Sequence, residues 1–299
     1  MNALSDLQRD KYGLKAVFHT VIGILMLFAG GLLASLPVER FFGMTESDTS
    51  VFNVAVRPLL VISAMLLLVS LYIRKVLKRP LRDFRIRRPN HIVLWSACAF
   101  ILPLAVSAFY IFLTPGNFFA TDYTASERGL IILRAVFRSG LSAGIIEELL
   151  FRGLIMRVLE IRWGKSVAVV VPSVLFALSH IGNMDSPRMG DILLLVVAGT
   201  AVGSMFSLVA MQSGSIWASA VVHGIWNLII GGKILDISPA PSSSAIFTYR
   251  LMSGSKLLTG GMFGIDAALP AIAGYCCVIL LALCLSRRNG DDTGSSEIE

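Results

Sequence analysis

The chain has 299 residues, of which 55% are hydrophobic and only 15% charged, with a formal net charge of +7. Soluble domains carry about 25% charged residues, and a water-soluble fold of this size could not hide so much apolar surface. The composition therefore excludes a soluble enzyme, a disordered chain and a coiled coil. It points to an integral membrane protein. The apolar residues come in continuous runs and not in alternation, which sets a β-barrel aside and leaves helices as the spanning element.

In chain order, a polar segment 1–15 is expected at the cytoplasm. The apolar run that follows it is long enough for a retained spanning helix. Eight apolar segments can be marked, at 16–36, 57–73, 91–113, 128–156, 166–181, 190–211, 216–231 and 267–286. The fold expected is all-α, a polytopic bundle of about eight transmembrane helices forming one domain over 16–286. The residues between segments two and three, RKVLKRPLRDFRIRRPN at 74–90, hold eight basic residues and one acid. They read as a topology determinant lying on anionic lipid. Nucleic acid is not expected as a partner, because a single aromatic residue, Phe84, stands among the basic ones, too few for a stacking platform.

With the N-terminus inside, the inner segments hold 16 Lys and Arg, the outer ones seven, and three lie within the fourth segment. Both termini are thus expected in the cytoplasm. A bacterial cell membrane is the expected setting. The Ser-, Gly- and Pro-rich stretch 232–266 reads as a mobile surface loop, and 287–299 as a polar, disordered cytoplasmic tail. Cys98, Cys276, Cys277 and Cys284 lie in apolar runs and are expected to stay unpaired.

Charges inside hydrocarbon are costly, so each is a functional hypothesis. The fourth segment carries Glu147, Glu148 and Arg152. Glu148 and Arg152 stand at i and i+4 and can pair on one helical face. Glu147 is turned about 100° away and is left to find a partner on another helix. Gly140, Ser142, Ala143 and Gly144 precede the pair and would let a neighbouring helix approach closely. The fifth segment ends with Phe176 and His180, and the seventh carries His223 and Asn227 at i and i+4. If these faces converge, they enclose a carboxylate, two imidazoles, an amide and an ion pair. That set suits hydrolysis: a general base, a group to orient water and donors for an oxyanion. Two His and a Glu are also a zinc set that leaves one position open to water. A proton-coupled carrier is a further reading of buried Glu, His and Arg, but no inverted repeat supports it.

Glu147-Glu148-Leu-Leu-Phe-Arg152 resembles the EExxxR motif of the CPBP (Abi) intramembrane metalloproteases, which include the type II CAAX prenyl endopeptidases. Phe176 to His180 is similar to that family's FxxxH motif, and His223 to Asn227 to its HxxxN motif. Order and spacing match over a core at 140–230. The resemblance implies an endopeptidase acting on a membrane-associated peptide or protein, with lipids as its surroundings. It assigns Glu147 as the base that activates water and Glu148, through Arg152, as its orienting group. His180 would position the water, and His223 with Asn227 would stabilise the oxyanion. It also implies a possible Zn2+ at Glu147, His180 and His223. Some relatives act as non-proteolytic scaffolds or in bacteriocin immunity, which is the alternative reading.

Overall fold

The computed structural model describes residues 7, 10, 13–43, 49–240 and 242–295. Most of the expected N-terminal segment 1–15, and the last four residues, lie outside the described residues. Six helices are long and apolar enough to cross a membrane: α1 (Leu14–Phe42), α2 (Val51–Val76), α3 (Ile92–Leu113), Ala125–Asn183, α6 (Met189–Ser213) and α8 (Leu269–Arg288). Ala125–Asn183 is too long for a single span, and it is broken at Gly164, whose φ of 81° and ψ of −178° are not helical. Its arms, α4 (125–163) and α5 (165–183), correspond to the fourth and fifth apolar segments. The seventh is the shorter apolar helix α7 (Ile216–Gly231). The protein is a predominantly all-α polytopic bundle, as the hydropathy pattern requires.

Local chemistry sets the ends of these helices. Thr124 caps α4 through a reciprocal box with Glu127, its hydroxyl accepting from the Glu127 amide. Gly214 closes α6 in the left-handed region at φ 66°, and Ser215 caps α7 by accepting from the Trp217 amide. α5 packs along α6, α6 along α8, and α7 along α3. Small residues make the closest approaches. A Cβ on Gly144 would stand 2.9 Å from the Gly224 Cα, and one on Gly203 would stand 2.8 Å from the Ser173 Cβ. The small residues before the glutamates therefore seat α7, as the sequence anticipates.

One end of the bundle is basic. There the Ser213 carbonyl accepts from the Asn90 amide at 2.9 Å, and the Arg85 carbonyl from the Ile216 amide at 3.0 Å. The opposite end carries a cap. β1 (Gly116–Ala120), β2 (Leu235–Ser238) and β3 (Phe247–Leu251) form a sheet in the order β1-β3-β2. β1 and β3 run antiparallel with Gly116 opposite Leu251, and β2 and β3 run parallel with Leu235 opposite Phe247. The described part of 232–266 thus carries two strands of a sheet where the sequence reads as a surface loop. It buries Ile237, Ile246, Tyr249, Leu251 and Ile265 against the bundle. At the chain's end, the backbone of the expected disordered tail continues as helix to Ser295.

Candidate active site

Glu147 and Glu148 lie in a short α-helical stretch, Gly144–Glu148, between two wider π-helical stretches of α4, Ala135–Ala143 and Leu149–Ile155. Such wide turns concentrate at functional sites because they re-aim side chains within a continuous helix. The two acids part as the sequence requires. Glu148 is fully buried. Its Oε1 accepts from Arg152 Nη1 at 2.8 Å and from His223 Nδ1 at 3.0 Å. Arg152 is also fully buried; its Nη2 donates to the Gly203 carbonyl at 3.0 Å. Its guanidinium lies 4.8 Å from the Phe176 ring centre and 5.2 Å from that of Phe206. Arg152 thus ties α4 to α6, and aromatic faces cover a charge that hydrocarbon would not tolerate alone.

Glu147 turns into a cavity of about 320 Å3. Its Oε2 stands 3.9 Å from His180 Nε2 and 3.9 Å from His223 Nε2. This oxygen has no hydrogen-bond partner among protein atoms. The two imidazoles are oriented from behind. His180 Nδ1 lies 2.8 Å from the Phe176 carbonyl, and His223 Nδ1 lies 3.0 Å from the Glu148 carboxylate. Carbonyls and carboxylates only accept, so Nδ1 carries the proton in each ring. In the neutral form both therefore turn an Nε2 lone pair toward Glu147. Phe206 stacks on His223 with ring centres 4.5 Å apart and fixes its plane. Asn227, one turn past His223, lines the same cavity.

Every candidate residue from the sequence is therefore in one place. Glu147, His180, His223 and Asn227 line the cavity, and Glu148 with Arg152 lies directly behind it. His223 is seven residues past Ile216 and eight before Gly231, so the site sits midway along α7. The cavity's remaining walls come from the cap half, including Asn183, Phe263, Asp266 and Tyr275.

Asp266 was not evident in the sequence. It stands in the stretch that reads as loop, just ahead of the last apolar run. It faces the cavity while Trp226 Nε1 donates to its Oδ1 at 2.7 Å. Burial pushes its carboxyl above the ordinary range, against the pull of the Trp226 hydrogen bond.

The donor types at Glu147, His180 and His223 suit zinc. Ligand atoms around a tetrahedral zinc stand about 3.3 Å apart at ordinary bond lengths, less than the 3.9 Å found for each imidazole against Glu147. Among the described residues, no group of three or more His, Cys, Asp or Glu is arranged to hold a metal ion. The spacing suits a hydrogen-bonded water between carboxylate and imidazole.

The helices and the site together define a class: an integral membrane protein with a buried carboxylate–imidazole centre inside a helical bundle. Residues 129–229 match the family model described as Rce1-like, type II CAAX prenyl endopeptidase. The match covers about a third of the chain, includes every candidate site residue, and agrees with the resemblance carried by the three motifs. No curated protein matches the chain.

Proposed function

We propose that this protein is an intramembrane endopeptidase that hydrolyses a peptide bond in a membrane-associated peptide or protein. The observation that carries this reading is the convergence of Glu147, His180 and His223, from three helices, on one cavity where a carboxylate oxygen meets two imidazole nitrogens. Glu147 takes a proton from water held between it and His180, and the hydroxide attacks the scissile carbonyl carbon. The carbonyl oxygen becomes the oxyanion, and the Asn227 amide donates to it. His223 donates to it from Nε2 when that nitrogen carries a proton. Collapse of the tetrahedral intermediate breaks the C–N bond, and Glu147 returns its proton to the leaving amine. Arg152 holds Glu148, and Glu148 holds His223, so this pair positions the site without touching substrate. No step is routed through a metal.

The test is quantitative profiling of peptide termini in membranes and medium. Cells carrying the wild type are compared with cells carrying Glu147→Gln at matched protein level. Termini that appear only with the wild type are expected. In vitro, the variant should keep its fold and lose at least about 100-fold in turnover, the ordinary worth of a general base. Identical termini in both cell lines, with the phenotype preserved, would replace the peptidase reading with a scaffold.

A further inference from the structure

On the far side of Phe263 and Asp266 from the catalytic cavity lies a second, more polar cleft of about 490 Å3. Gly231, Phe263 and Asp266 line both spaces, and the neck is the boundary these three residues share. One wall of the cleft is β2. The other is the cap segment 261–266, and its rim includes the exposed Met262.

β2 is an outer strand of the sheet, with β3 on one side and the cleft beside it. The Ile234 carbonyl accepts from the Phe247 amide at 3.0 Å. In a parallel pair, alternate residues bond the neighbouring strand. Asp236 is therefore next in that series, and Leu235 and Ile237 turn their backbone groups to the free side. The consecutive residues Asp236, Ile237 and Ser238 all line the cleft, as they do when a strand presents its edge and not a face. A free edge of this kind is a template for another strand. β1 is also an edge, but none of its residues lines either space.

The competing route is lateral. An apolar groove of about 340 Å3 lies between α4 and α7, beside Leu141, Trp217 and Ile225. It shares no lining residue with the catalytic cavity. The Gly140–Gly224 approach, where a Cβ on Gly224 would meet the Gly140 carbonyl oxygen at 2.9 Å, brings the two helices into backbone contact there.

We infer that the cleft beside β2 is the substrate subsite. It takes an extended polypeptide segment as a fourth strand on β2 and passes it through the neck to Glu147. The inference rests on the peptidase reading and deepens it. The substrate presents an unfolded stretch of at least about four residues, about 13 Å of strand, at the cap end of the bundle. Backbone pairing supplies the hold, and the neck selects the side chain next to the scissile bond.

The test uses full-length Glu147→Gln protein in lipid nanodiscs, so that docking is read without turnover. The probe is a pool of random decapeptides, each with one central benzophenone residue; adducts are mapped by mass spectrometry. Adducts should concentrate on 233–238 and 261–266. A matched pool with N-methylated backbone, which cannot donate to a strand edge, should give at least tenfold fewer. Adducts centred on the groove between α4 and α7, adducts spread without preference, or equal labelling by the N-methylated pool would each overturn the inference. Wild-type protein incubated with the unmodified pool reports hydrolysis separately. Cleft adducts without hydrolysis would retire the peptidase reading and keep the docking site.

Discussion

Arg152 is held from several sides. It is fully buried, it holds Glu148 at 2.8 Å and Gly203 at 3.0 Å, and two phenyl faces cover it. Arg152→Ala would leave the Glu148 carboxylate buried without its cation, at a cost of about 3–5 kcal/mol. Thermal unfolding in detergent should show a large fall in midpoint, together with reduced yield. An unchanged midpoint would show that the pair carries little of the fold. Asp266 makes a different prediction. Burial raises its carboxyl, so the folded protein keeps this proton to a higher pH than the unfolded chain does. Ionising it therefore removes stability as pH rises above the ordinary carboxylate range. Asp266→Asn, which keeps an acceptor for Trp226, should gain in unfolding midpoint relative to the wild type on going from pH 4 to pH 8. A difference that does not change with pH would contradict this. The sequence marks Glu147 and Arg152 because ionisable residues stand out in an apolar run. Asp266 has no such contrast, since an acid at the edge of a polar stretch is ordinary.

Among the elements, α4 and α7 carry the proposed base and one of its two imidazoles, and glycine sets their separation. A Cβ on Gly144 would lie 3.0 Å from the Ala220 carbonyl oxygen as well as 2.9 Å from Gly224. Glu147 is one turn past Gly144, and His223 adjoins Gly224. Gly144→Ala must push the helices apart, at about 1–3 kcal/mol for overpacking, and must lengthen the contact between Glu147 and His223. Turnover should fall more than stability does, as read by kcat beside the unfolding midpoint. A variant with the wild-type kcat would mean that the contact tolerates the shift. The helices themselves were legible in the sequence: the apolar segments at 91–113 and 216–231 fall within a residue of α3 and α7. Hydropathy reports burial in lipid, which is a local property. The sheet was not legible. β2 and β3 have four and five residues, sit among Ser and Pro, and β3 pairs with residues more than a hundred positions earlier. Nothing in the sequence near 235–251 records that pairing. The π stretches in α4 were hidden for a related reason. They change how faces align along one helix, while the i and i+4 spacing of Glu148 and Arg152 still closes.

Across the whole molecule, the basic stretch and the polar cleft lie at opposite ends. The basic stretch 74–90 and the α4–α5 break at Gly164 lie at one end, and the sheet, the cleft and the neck at Asp266 lie at the other. Behind the site, toward the basic end, lie the buried Arg152 and the phenyl rings of Phe176 and Phe206. If the Lys and Arg excess sets orientation, the basic end is cytoplasmic, and substrate reaches Glu147 from the far side of the membrane. Single cysteines placed in a chain whose four native cysteines are replaced would check this. Met252→Cys, 71% exposed at the end of β3, should react with a membrane-impermeant maleimide on intact cells. Arg88→Cys should react only after the cells are opened. The reverse pattern would turn the mouth of the cavity to the cytoplasm. The resemblance to CAAX endopeptidases speaks for hydrolysis, and the distribution of charge speaks for the side on which it happens. The labelling experiment separates the two, because the helices that place Glu147, His180 and His223 do not depend on which way the bundle is inserted.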